Sequence, residues 1–85
     1  MNYTIVITEK ALKQLSEIPN IYAARITKRI DELAFNPFPK DSNKLQVIEC
    51  YRIKIGDYRV IYSVDSNVLI IEIIRIKHRK DAYRL

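Results

Sequence analysis

Tyr51-Arg52-Ile53-Lys54-Ile55-Gly56-Asp57-Tyr58-Arg59-Val60-Ile61-Tyr62 alternates apolar and polar side chains over most of its length, on both sides of Gly56-Asp57. A period of two marks a strand with one covered face. Gly56, the chain's only glycine, stands where a two-residue hairpin loop requires positive φ. Such a loop sets Ile55 opposite Tyr58 and Lys54 opposite Arg59. Tyr51, Ile53, Ile55, Tyr58, Val60 and Tyr62 then share one face, and Arg52, Lys54 and Arg59 the other. Two meanings are open for the second face. A solvated polar face is the common one, but it would place Glu or Thr opposite Lys, because like charges directly opposite destabilise a sheet. Phosphate binding gives the clustered cations a reason to be there.

Outward from the hairpin, Val68 to Ile76 is nearly continuously apolar, as a strand in the middle of a sheet would be, with Asp65-Ser66-Asn67 as its turn. Upstream, Tyr3 to Ile7 reads as a first strand. Thr8 is placed to cap a helix with Ala11, Leu12, Leu15 and Ile18 at helical spacing. Pro19-Asn20 breaks that helix. A second begins at about Ile21, with Tyr22, Ala23, Ile26, Ile30, Leu33 and Ala34 on one side, and Asn36-Pro37-Phe38-Pro39 ends it. The expected fold is α+β, in the order β-α-α-β-β-β: a small, mainly antiparallel sheet with a helical hairpin packed on one face. Residues 1–85 make one domain, without repeats or linkers.

Composition sets limits on function. The 85 residues carry 15 Lys and Arg against 10 acidic side chains, net +5, with a pI near 9.5. That balance suits a polyanion or an acidic protein as partner, or simply keeps a small domain in solution. A single cysteine, Cys50, excludes an internal disulfide and a Cys-based zinc site. With neither a signal peptide nor an apolar run of about 18 residues, a cytoplasmic protein without membrane contact is expected. No glycine-rich phosphate loop, nucleophile elbow or paired-carboxylate motif is present.

The C-terminal stretch Lys77-His78-Arg79-Lys80-Asp81-Ala82-Tyr83-Arg84-Leu85 is again basic. A three-residue turn at 65–67 puts Arg75, Lys77 and Arg79 on the face of Arg59. A two-residue turn puts the even positions there, and a bulge changes the parity again. His78, the lone histidine, is a poor metal site; it is either a general acid or base or a spectator near the strand end. Tyr83 either stacks on a base or packs a loose tail.

The hairpin segment 51–62, followed by Ile76-Lys77-His78-Arg79-Lys80-Asp81-Ala82-Tyr83, resembles the RelE/ParE toxin superfamily and its recurring Y-R-I-(R/K)-x-G-x-Y-R-(V/L)-I-Y and H-R-x-x-x-Y patterns. The likeness extends over essentially the whole chain. It implies a RelE-like microbial RNase fold and the toxin of a type II toxin–antitoxin system. It also implies a ribosome-dependent endoribonuclease that cuts mRNA in the A site by metal-independent attack of the RNA's 2′-hydroxyl, without a cofactor. An acidic, RelB-like antitoxin would be its partner, beside ribosome and mRNA. The other branch, ParE-like, shares the fold and poisons DNA gyrase without nuclease activity. Carried over position by position, the catalytic residues are Arg52, Lys54, Arg59, Arg79 and Tyr83. Arg52, Lys77, His78 and Lys80 are the expected RNA contacts. Arginine is a poor proton acceptor, so Lys54, set among cations that favour an uncharged amine, is expected to act as base. Arg52 and Arg59 are expected to clamp the phosphate and Arg79 to serve as clamp or leaving-group acid. His78 is the alternative acid, and Tyr83 positions a nucleotide.

Overall fold

Residues 2–46 and 49–81 are described by a computed structural model of the chain. The N-terminal strand β1 (Thr4–Ile7) leads directly into a capped helix, α1 (Glu9–Ser16). Thr8 stays extended, and its Oγ1 accepts from the Ala11 N–H at 3.1 Å, so one of the four free donors of the first turn is satisfied. Pro19 precedes α2 (Asn20–Leu33), as expected of a residue that cannot continue α1. Ala11, Ile26, Ile30 and Leu33 are buried together under the sheet, with Leu15 and Ile18 packed against them. Two predicted helix positions behave otherwise: Leu12 is 56% exposed, and Tyr22 is partly exposed with its ring 5.8 Å from that of Tyr58.

After α2, the Asn36 Oδ1 accepts from the Phe38 N–H at 3.1 Å, and this side-chain turn stops the helix. Tyr62, fully buried, donates its phenol proton to the Pro37 carbonyl at 2.7 Å. That bond fixes the segment beneath the sheet. Burial pushes the Tyr62 phenol up to about 12, against the opposing pull of a hydrogen bond with Ser42.

The sheet has five strands in the order β1-β5-β4-β3-β2. β2 (Asn43–Lys44) is a two-residue edge pairing with Arg52 and Tyr51. Two residues carry no readable period, so the sequence does not disclose this strand. β3 (Cys50–Ile55) and β4 (Tyr58–Asp65) form the expected hairpin: Gly56 has φ +58°, Ile55 pairs with Tyr58 and Lys54 with Arg59. β5 (Ile70–His78) lies antiparallel to β4 and parallel to β1. A short 3-10 turn, Arg79–Asp81, follows.

The β4–β5 connection departs from both expected turns. Asp65 pairs with Ile70, which leaves four residues between them. The Asp65 Oδ1 accepts from the Asn67 N–H at 3.0 Å, and Leu69 turns through φ +56°. Val68, expected to open the strand, is 59% exposed in this loop. A polar side-chain turn and one left-handed residue thus override the apolar run. Farther along, Ile61 pairs with Arg75 but Tyr62 with Ile73, so Ile74 is an extra, unpaired residue. This is a β-bulge.

Both helices cover one face of the sheet, over Ile53, Ile55, Val60, Tyr62, Val64, Ile71, Ile73 and Ile76. The opposite face is where the cations stand.

Candidate functional site

Paired residues in antiparallel strands share a face, as do residues two apart along one strand. Lys54 pairs with Arg59, and Arg59 pairs on its other side with Lys77. Arg52 and Arg75 flank Ile61 in the same way. Five cations from three strands therefore occupy the face away from the helices, and no acidic side chain is interleaved at these positions. The bulge at Ile74 produces this arrangement. The loop parity would have sent the even positions of β5 to that face, and the extra residue exchanges them for Arg75 and Lys77.

Arg59 is the fixed centre of the group. Its Nη1 donates to the carbonyls of Gly56 and Tyr58, both at 3.1 Å. The hairpin thus supplies both the turn and the acceptors that hold the guanidinium, on a residue whose cross-strand partners on either side are lysines. Arg52 has a buried Nε without a hydrogen-bond partner. A buried donor left in this state is destabilising by about 1–3 kcal/mol. Lys54 is exposed, because β2 pairs only as far as Arg52 and leaves the end of β3 as an open edge. Beside it an open groove runs between Lys54, Ile55 and Gly56 and the α2 side chains Arg25, Lys28, Arg29 and Glu32. Arg29 is already engaged there: its Nη2 lies 2.9 Å from both Asp41 carboxylate oxygens.

The other expected residues are placed differently. Arg79 leaves the strand: its main-chain N–H donates to the Asp57 carbonyl, and its guanidinium lies 4.0 Å from the Asp57 carboxylate. His78 pairs with Tyr58 and so stands on the helix-covered side, ring edge to face with Tyr58 at 5.2 Å. Its Nδ1 accepts from the Lys80 N–H at 3.1 Å, which turns the chain after β5. Lys80 is exposed in that turn. Tyr83 lies outside the described residues. Arg75, which the structure adds to the cationic face, was left open by the sequence because turn length and bulge both act on its parity.

Among the described residues, no group of three His, Cys, Asp or Glu is disposed to hold a metal ion, and no helix is long and apolar enough to cross a membrane. What the face can do chemically is hold a phosphodiester and stabilise added negative charge on it. Lys54 and Lys77 are the two groups able to exchange a proton there.

Comparison with known proteins places the chain and its fold in a lineage. Residues 5–83 match the family described as ParE toxin of type II toxin-antitoxin system, parDE. A chain of the archaeal RelE–RelB complex from Pyrococcus horikoshii superposes with a TM-score of 0.86 at 34% identity, over 96% of this chain and 100% of that one. A Methanocaldococcus jannaschii protein named for the toxin RelE1 is 32% identical, over 99% of this chain and 98% of its own length. Toxin RelG of Mycobacterium tuberculosis is 27% identical, over 99% of each. A family match spanning nearly every residue, joined to RelE relatives that align from end to end, means that this chain belongs to the RelE/ParE superfamily of type II toxins, in its RelE-like branch.

Proposed function

We propose that this RelE-like toxin is an endoribonuclease that cleaves mRNA in the ribosomal A site and so arrests translation. The observation that carries the reading is Arg59, held on two hairpin carbonyls with Lys54 and Lys77 opposite it on either side. Cleavage by the RNA's own 2′-hydroxyl needs three things from the protein: a base for that hydroxyl, charge against the phosphorane-like transition state, and a proton for the departing 5′-oxygen. Lys54 takes the 2′-proton as the 2′-oxygen bonds to phosphorus. Arg59 and Arg52 hold the non-bridging oxygens. The bond to the 5′-oxygen then breaks, leaving a 2′,3′-cyclic phosphate and a 5′-hydroxyl. No metal or cofactor takes part in this scheme.

For the final proton the geometry favours Lys77, which faces Arg59, over Arg79, which faces Asp57, and over His78 on the far side of the sheet. Arg79 and Lys80, exposed past the end of β5, are suited to contact phosphates beyond the cleaved one. Tyr83 stacking on a nucleotide rests on the family resemblance alone. The toxin acts in the cytoplasm and is held inactive by a RelB-like antitoxin. Several of the similar structures are toxin–antitoxin complexes, and the net charge of +5 favours an acidic antitoxin.

The test is to incubate purified toxin with programmed ribosomes and map the mRNA ends. Cuts within the A-site codon are expected, and they should vanish in Lys54→Ala and Arg59→Ala although both remain folded. Undiminished cutting by both variants would overturn the residue assignments. Intact mRNA with wild-type toxin would overturn the nuclease. A second reading, poisoning of DNA gyrase, is favoured by one observation, the ParE description of the matching family. It predicts intact mRNA together with stalled gyrase on plasmid DNA.

A further inference from the structure

We propose that Gln14, assisted by Thr8, is a positioning residue for the cationic face: from the covered side of the sheet it holds the bulge that turns Arg75 and Lys77 toward Arg59. The catalytic consequence rests on the nuclease reading above.

On the upper part of β5, Ile71 and Ile73 are buried; on the lower part, Ile76 is. The interval between buried positions lengthens from two residues to three across Ile74, the residue without a partner on β4. Uninterrupted alternation would carry Arg75 and Lys77 into the helix-covered core and Ile76 out of it. The identity of the cation facing Arg59 therefore depends on one extra residue being kept in place.

A bulge interrupts the ladder and leaves main-chain groups in need of other partners. α1 and its cap provide them. The Thr8 Oγ1 donates to the Ile74 carbonyl at 2.8 Å while accepting from the Ala11 N–H. Beside it the Thr8 N–H donates to the Ile73 carbonyl at 3.1 Å, continuing the parallel β1–β5 pairing of Ile7 with Ile73. One helix turn and a half farther on, the Gln14 Oε1 accepts from the Ile76 N–H at 2.7 Å. The residues on both sides of Ile74 are thus tied to a single helix. A register without the bulge would strand the acceptor of Gln14 and the hydroxyl of Thr8 in the partly buried seam between helix and sheet. Neither side chain reaches the cationic face, so any effect on catalysis passes through the strand.

Gln14→Leu removes the acceptor, whereas Gln14→Glu keeps a carboxylate oxygen at the same reach. Leu15→Ala, in the same helix and packed on the core, serves as a control for lost stability. Amide hydrogen exchange is followed by NMR on the free toxin, and kcat and KM are measured on programmed ribosomes. In Gln14→Leu the Ile76 amide should exchange about tenfold faster. Its kcat should fall about tenfold with KM nearly unchanged, as expected when a transition-state contact is misplaced. Gln14→Glu should restore both, and Leu15→Ala should lower Tm while keeping kcat. Wild-type kcat in Gln14→Leu, or an Ile76 amide that stays protected in it, would overturn the proposal, as would an equal kcat loss in Leu15→Ala. Should wild-type toxin leave mRNA intact, the nuclease reading fails separately, and the exchange measurement alone decides whether Gln14 holds the bulge.

Discussion

The two faces of this sheet are made by the same strands, residue by residue in alternation, yet they follow opposite rules. On the covered face Ile53, Val60, Tyr62 and Ile76 are packed by α1 and α2, and Tyr62 satisfies its one polar atom on Pro37. On the open face Lys54, Arg59 and Lys77 stand in a row across three strands, an arrangement that stability alone disfavours. The contrast teaches that folding is secured on one side so that charge can be concentrated on the other. Substitutions on the two sides should accordingly fail in different assays.

The largest effect belongs to the covered face. Ile53→Ala opens a cavity in a fully buried site and should lower stability by about 3 kcal/mol, or about 15 °C in Tm for a domain of this size, by thermal or urea unfolding. Next comes Arg59→Ala, expected to reduce cleavage by about 100-fold while unfolding within about 1 kcal/mol of wild type. Its bonds to two carbonyls, one exposed and one partly buried, are lost, but so is its repulsion of two lysines. Should Arg59→Ala instead unfold as easily as Ile53→Ala, the division between the faces would not hold.

How much of this division the sequence discloses differs along the chain. The β3–β4 hairpin is fully legible, because a lone glycine fixes the loop and the loop fixes the pairing of Lys54 with Arg59. The capping of α1 by Thr8 is legible for a similar reason: one side chain and one local hydrogen bond decide it. The other edge of the site is not. Which residue of β5 faces Arg59 depends on a four-residue loop closed by Asp65 and Leu69 and on a bulge whose partners, Thr8 and Gln14, lie more than sixty residues away in sequence. No local pattern encodes such a contact. His78 shows the same limit, since its motif suggests chemistry while its register sends it to the side of Tyr58. β2, held by two pairs, is too short for periodicity to register.

A smaller effect separates the polar atom of the covered face from its bulk. Tyr62→Phe keeps the ring but leaves the Pro37 carbonyl without its donor, and should be destabilising by about 1–2 kcal/mol. It should also change the alkaline limb of stability. With the folded phenol at about 12 against 10.0 unfolded, the folded state holds its proton longer. The stabilisation is therefore complete below pH 10 and lost as pH rises toward 12. Urea unfolding of wild type across that window should show a decline of about 2 kcal/mol attributable to this residue, absent in Tyr62→Phe. An identical decline in both proteins would assign the alkaline sensitivity elsewhere.

The smallest effect has the opposite sign and bears most directly on the open face. Lys77→Thr removes one like charge facing Arg59 and substitutes a residue that suits a strand, so the protein should become more stable, by about 0.5 kcal/mol at low salt. Screening identifies the cause. The Debye length falls from about 30 Å at 0.01 M to about 3 Å at 1 M ionic strength, so the gain in urea midpoint should shrink as salt is added. A gain that ignores salt would come from strand propensity alone, and a loss would mean that the lysine stem packs usefully against its neighbours. Only a salt-sensitive gain, joined to slower cleavage, shows that the free toxin retains a repulsive pair for the sake of the anion it will bind. That pairing of outcomes is what distinguishes a site from a solvated surface, because an ordinary surface has no reason to keep a charge that weakens it.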